Sequence, residues 1–195
     1  MAILHKATLT PTKLELLESW LPSQPWFPGS SAAGLERVAA YRFDDPDGQV
    51  GIETFLVRTP GGPVVQVPLT YRGAPLEGAE ASLVGTLEHS VLGRRWVYDA
   101  ESDPVYVTEL TRVIREGGTE VAQYYETPEG PQRKEDATHV RGSGLPGAAA
   151  ASEVDDAGPV VVRVLDGGAT PPPSALTLTG TWEGQPGPVL LAHLG

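Results

Sequence analysis

Few short stretches of this sequence carry residue types at spacings that could do chemistry. Gly142-Ser143-Gly144-Leu145-Pro146-Gly147 is a literal G-x-G-x-x-G. In a dinucleotide site such glycines follow a strand and open a helix, so that a pyrophosphate meets the helix N-terminus. Here Lys134, Glu135 and Asp136 shortly precede the run and Pro146 falls inside it, so it reads as part of a flexible Gly/Ala linker. Asp44, Asp45 and Asp47 cluster in DDPDG, but a calcium loop needs a Gly and a distant Glu where this chain has Val50 and Leu56. A solvated hairpin turn is the reading there. Glu88-His89-Ser90 sets acid, base and hydroxyl side by side on one strand, where successive side chains face opposite ways and no triad can assemble. The four histidines, at 5, 89, 139 and 193, show no metal-ligand spacing. No nucleophile elbow, phosphate-binding loop, kinase catalytic loop or D-F-G appears. No catalytic, metal or cofactor-binding residue is assigned, and no enzyme activity or cofactor is expected.

The totals narrow the field further. A formal charge of −11 and a pI near 4.7 argue against nucleic acid and anionic membrane as partners, since both call for a basic face. With no cysteine, disulfides and thiolate chemistry are excluded. Neither a signal peptide nor an apolar run of spanning length is read, so the expected location is cytoplasmic. The 195 residues suffice for a core burying roughly 70% of the unfolded surface. The 23 glycines and 19 prolines predict many turns.

The elements that would position any site follow from caps, turns and periodicity. Residues 2–9 read as a short strand. Thr10 as cap and Pro11 at the first helical position predict a helix carrying Leu14, Leu17 and Leu21, which Pro22 ends. Segments 35–43, 49–58 and 63–72 predict paired strands, the last with one face buried and with Pro68 marking an edge or bulge. Segments 81–90 and 93–100 predict a further hairpin. Asp103 and Pro104 start a second helix with Tyr106, Leu110, Val113 and Ile114 as its buried stripe and Gly117-Gly118 as its end. Residues 126–158 hold almost no large apolar side chain and are expected to form a flexible Gly/Pro/charged loop or linker. Three strands are expected over 159–195, packed on the main sheet. The class is α+β: a curved, mainly antiparallel sheet with two main helices and extra C-terminal strands.

Two patches stand out as candidate partner or ligand surfaces. WLPSQPWFPGS places Trp20, Trp26 and Phe27 among prolines just beyond the first helix. Arg94, Arg95 and Trp96 lie together on the second hairpin, with one arginine on the side of the strand away from Trp96.

WLPSQPWFPGS resembles the W-L-P-x-Q-R-W-F-x-G-K motif near the start of actinobacterial maltokinases, in their N-terminal cap domain. VVQVPLTYR (64–72) is similar to the cap's Y-x-V-P-L strand. Residues 81–118 keep the family's order of an L-V/I-G strand, a V-Y-D-A strand end, an acidic-Pro helix start and a Leu-rich helix. The resemblance covers roughly residues 1–125 and implies a cystatin-like cap architecture. It implies no catalysis by this segment, since in maltokinases the cap sits on a kinase that makes maltose 1-phosphate and can assemble with trehalose synthase. Departures are Pro25 and Ser30, which stand where the family has Arg and Lys. The final strands are similar to the first hairpin of a kinase small lobe, but Ala192-His193 stands where a nucleotide-binding lysine is expected.

The expected function is therefore a stand-alone, non-catalytic cap-like module that binds a protein: a maltokinase-like kinase, trehalose synthase or another enzyme of trehalose, maltose or α-glucan metabolism. Self-association is open at this point. So are two alternatives, a binder of α-glucan or maltose and a subunit or remnant of a sugar kinase lacking its catalytic lobes.

Overall fold

The structure is a computed structural model and describes residues 2–4, 7–127, 130–134, 137–147, 158–165 and 168–195. In chain order, strands β1 (Ala2–Leu4) and β2 (Leu9–Thr10) precede helix α1 (Lys13–Trp20). Strands β3 (Glu36–Asp44), β4 (Gly51–Arg58), β5 (Val65–Arg72), β6 (Leu83–His89) and β7 (Gly93–Asp99) lead to helix α2 (Pro104–Glu116). After it come β8 (Gln123–Thr127), β9 (Gly130–Arg133), β10 (His139–Gly142), β11 (Pro159–Val161), β12 (Thr177–Trp182) and β13 (Gln185–Leu194). The main sheet is antiparallel, six-stranded and curled, in the order β2-β6-β7-β5-β4-β3. β10-β12-β13-β11 form a second sheet, and β1-β8-β9 a third in which β1 runs parallel to β8. The expected α+β class, with two main helices on a curved antiparallel sheet, is what the structure shows.

Local chemistry accounts for the helix starts. α1 begins two residues later than the sequence suggested. Thr12, not Thr10, is its cap: Thr12 Oγ1 accepts the Glu15 amide and the Glu15 carboxylate accepts the Thr12 amide. That reciprocal pair satisfies two otherwise open donors, while Thr10 is held in β2 opposite Glu88. α2 starts as expected, with the Asp103 carboxylate accepting the Val105 amide and Pro104 in the first position. It ends at Gly117, whose φ of 64° is left-handed. The DDPDG turn closes because the Asp45 carboxylate accepts the amides of Asp47, Gln49 and Val50.

The main sheet has a layer on each face, which corrects the expectation for β5. Residues 65–70 are all buried rather than alternating. Val65, Val67 and Leu69 pack with Leu17 of α1, with Leu21 just beyond it, and with Phe55, Val57 and Val97. On the opposite face, Ile52 and Leu56 of β4 join Tyr41 and Phe43 of β3. Against them lie Tyr106, Leu110, Val113 and Ile114 of α2 and Val140, Leu178 and Leu191 of the second sheet. Each of those four helix side chains, fully buried, contributes about 1.5–3 kcal/mol.

Pro68 lies inside the sheet, not at its edge or in a bulge. β5 changes partner along its length: Leu69–Arg72 pair with β7, whereas Val65 bridges Val164 and the Gln66 amide donates to the Arg163 carbonyl. Backbone direction repeats every second residue, so the Pro68 nitrogen faces the same side as that of Gln66. It falls where one partner stops and the other has not begun, and no donor is missed. Gln66 seals this junction. Its carboxamide accepts from Tyr41 Oη (2.9 Å) and donates to the carbonyls of Val162 (3.0 Å) and Leu191 (2.8 Å).

The stretch expected to be a flexible linker holds strands within its described part. β9 pairs with β8, and β10 pairs with β12. β9 needs little apolar side chain because backbone pairing holds it, and β10 buries Val140. Residues 148–157 of that expected linker lie outside the described residues, as do Glu135 and Asp136. The G-x-G-x-x-G run is packed backbone to backbone on the end of α2. The amides of Gly142 and Gly144 donate to the carbonyls of Gly118 and Ile114, each at 2.9 Å. A Cβ on Gly142 would lie 2.1 Å from the Val113 oxygen, and one on Gly144 1.9 Å from the Arg115 oxygen. Glycine is required there by contact. Gly144→Ala is expected to cost about 2–4 kcal/mol, combining overpacking with a lost cap, read as a lower urea midpoint at unchanged slope. Gly187→Ala, where a Cβ meets nothing within 4 Å, is the control and should stay within about 0.5 kcal/mol of the parent.

Candidate functional site

The first sequence-predicted patch forms where α1 gives way to a short 3-10 turn over Leu21–Ser23. Ser23 Oγ donates to the Trp20 carbonyl (2.7 Å), and the Phe27 amide donates to the Gln24 carbonyl (3.1 Å), so the proline-rich backbone doubles back. Trp20 and Trp26 meet edge to face at 5.9 Å, and Trp26 meets Phe27 at 6.5 Å. All three rings are half-buried and pack on the α1-side core. The Arg163 guanidinium lies over one face of the Trp26 ring, 4.5 Å from its centre. Arg163 Nη2 in turn donates to both Asp99 oxygens at 2.7 Å and to Glu101.

The second patch divides between the two faces of β7. Arg94 is exposed and pairs with Glu88 across the hairpin at 2.7 Å. Trp96 shares its face by alternation and is half-buried, opposite Thr86 and Arg72. Arg95 turns to the α1 side, and its Nη2 donates to the Leu92 carbonyl at 2.8 Å. The side chains of Glu88-His89-Ser90 are engaged by the hairpin: His89 Nδ1 accepts the amides of Val91 and Leu92, and Ser90 Oγ accepts that of Thr8. The hairpin tip presents Val91, 56% exposed, and Leu92, 48% exposed.

Between this hairpin, the first turn of α1 and the β3–β4 hairpin lies a cleft of about 540 Å³. Lys13, Arg42, Gly51, Tyr71 and Arg95 line it. Behind the wall, the Glu53 carboxylate is buried, ion-paired to Lys13 and 3.9 Å from Arg42 Nη1. The Lys13 ammonium also sits 4.8 Å from the Tyr71 ring centre and 5.6 Å from that of Phe55. Burial alone would raise the Glu53 pKa. The charges of Lys13 and Arg42 outweigh it, and the carboxyl is held below its ordinary 4.5. Burial, joined by the Glu53 charge, pushes the Tyr71 phenol well above its usual range.

Sequence reasoning found Arg95 but missed Lys13, Arg42, Glu53 and Tyr71 as a group. One signal was present: Glu53 shares its strand face with Phe55 and Val57, and a carboxylate on an apolar face needs partners. Among the described residues no group of three His, Asp or Glu could hold a metal ion. No helix there is long and apolar enough to cross a membrane.

Residues 20–103 match the maltokinase N-terminal cap domain family. The matched stretch runs from Trp20 through β3–β7 to Asp103, the cap of α2, and is similar to that domain. It is narrower than the resemblance read from motifs and includes both candidate patches. No curated protein matches the chain.

The stretch ends on a second buried carboxylate. Arg72 Nε and Nη2 hold Asp103 bidentately at 2.7 and 2.6 Å. Burial opposes the charge of Asp103, but Arg72, Thr70 and the Val105 amide prevail and keep its pKa below the ordinary 3.8. Asp103 and Glu53 thus bind protons more weakly folded than unfolded. Their stabilisation is complete above 3.8 and 4.5 and is lost as pH falls toward the folded values. Urea unfolding followed from neutral pH to about pH 3 should show this loss. Asp103→Asn should be less stable at neutral pH by about 2–4 kcal/mol and should show a flatter acid limb.

Proposed function

We propose that this chain is a non-catalytic module, similar to the maltokinase cap, that acts in the cytoplasm by binding a partner protein. The partner is a sugar kinase or another enzyme of trehalose, maltose or α-glucan metabolism. The observation that carries the reading is the cap-domain match over residues 20–103. The hairpin tip within that match supports it: adjacent exposed Val91 and Leu92, flanked by Arg94 and Arg95, form the mixed apolar and arginine surface that protein contacts favour. A sugar platform on the tryptophans fits less well, because both rings are half-buried and Arg163 lies over one face of Trp26.

The test is size-exclusion chromatography with light scattering of the purified chain, mixed in turn with a purified maltokinase-type kinase and a purified trehalose synthase. A complex of fixed stoichiometry with one of them is expected. The Val91→Ser/Leu92→Ser double variant should keep its fold and weaken that complex about tenfold or more. Separate elution from both enzymes would remove the reading, and a mass of two chains without enzyme would replace it with self-association.

A further inference from the structure

The geometry points to the cleft between α1 and the two hairpins as a binding site for a small organic anion, a carboxylate or a phosphate monoester held by Arg42 and Arg95. It does not rest on the partner-protein reading, although Leu92 and Arg95 of the hairpin also line the cleft.

Three cationic side chains, Lys13, Arg42 and Arg95, line one cleft of a chain whose net charge is −11. Among the described contacts, Glu53 answers both Lys13 and Arg42, and the hydrogen bond of the Arg95 guanidinium goes to a neutral carbonyl. Asp44 and Asp45 stand on the rim, but the Asp45 carboxylate is taken up by three turn amides. Arg42 Nε and Arg95 Nε are buried and have no hydrogen-bond partner. Buried donors of this kind are uncommon and call for an acceptor. Both belong to arginines that line the same cleft. An oxyanion bound side-on takes an Nε–H and an Nη–H of a guanidinium together, as carboxylates and phosphates do.

The cleft has the size of a small-molecule site, and Leu9 and Leu87 give it apolar wall beside the cations. A Cβ on Gly51 would lie 3.4 Å from Tyr71 Cβ and 3.5 Å from Arg42 Nη2, ordinary contact distances, so a larger residue there would crowd two side chains that line the cleft.

The experiment titrates the purified chain with inorganic phosphate, glycerol 3-phosphate and malate, with uncharged glycerol as control, followed by calorimetry and by the melting temperature. A saturable rise in Tm with at least one anion, and none with glycerol, is expected. Tighter binding of the phosphates assigns a phosphate ligand, and tighter binding of malate a carboxylate. Arg95→Gln and Gly51→Val should each weaken binding about tenfold or more, the first by removing a charged donor and the second by crowding the cleft. In the unmutated protein, the Nε–H resonances of Arg42 and Arg95 should shift with the same saturation, which reads the site without any variant. No saturable binding of either anion class, equal binding by both folded variants, or Nε–H resonances that stay fixed while the protein saturates would overturn the proposal.

Discussion

The fold depends on where one buried guanidinium can be neutralised. The Arg163 side chain is 9% exposed, and a cation taken that far from water must find opposite charge nearby. It finds Asp99 at the end of β7 and Glu101 just beyond, and it lies on the ring of Trp26. These partners come from two parts of the chain far from Arg163 itself. Once they hold Arg163, its neighbours Val162–Leu165 must run beside β5, where Val164 bridges Val65 and the Arg163 carbonyl accepts the Gln66 amide. The C-terminal sheet is thereby fixed against the main one, and Trp26 gains its place as the cover of an ion-paired group. The aromatic, proline-rich segment that neither helix nor strand could use is thus the far wall of a salt-bridge cluster.

That constraint explains two further features. β5 can bury both faces only because a second layer comes to it, and β11 of that layer ends just before Arg163. Pro68 is tolerated in the middle of the sheet because the tail and β7 share one side of β5, leaving a gap between them where no donor is called for. Gln66 then becomes obligatory. It is the single side chain able to accept from Tyr41 while donating to two carbonyls of the arriving layer. An apolar residue of similar volume would remove one hydrogen bond from each of these three groups in the interior, leaving the Leu191 carbonyl with the Val162 amide.

What could be read from the sequence follows the range of the interaction. Asp103-Pro104 as a helix start, the DDPDG turn and the α2 stripe are all settled within a few residues, and they were legible. So was the α+β class, which rests on many such local signals. The displaced start of α1 shows the limit even there: Thr10-Pro11 and Thr12 with Glu15 both look like starts, and only the pairing of Thr10 with Glu88 decides between them. β9 and β10 were read as linker because backbone pairing leaves little trace in side-chain type. In the cleft, Arg95 was legible as part of a basic pair. Lys13, Arg42 and Tyr71 were not, since they become neighbours only through strand register. Glu53 was the one residue whose own strand face announced that cations had to be near.

The glycine-rich hexapeptide shows why spacing alone could not decide its role. In a phosphate-binding loop, close-packed glycines bring backbone amides to a ligand at the positive start of a helix. Here the same spacing brings the amides of Gly142 and Gly144 to carbonyls at the finish of α2, where the helix dipole is negative. The steric argument for glycine is equally strong in the two settings, because backbone approaches backbone in both. The electrostatic consequence is opposite: the donors that would greet a phosphate are already satisfied by the helix, and the carbonyl end would repel it. Only the order of elements around the run separates the cases. Gly142 closes a strand, and among the described residues no helix opens after it, so the motif caps a helix instead of cradling a ligand.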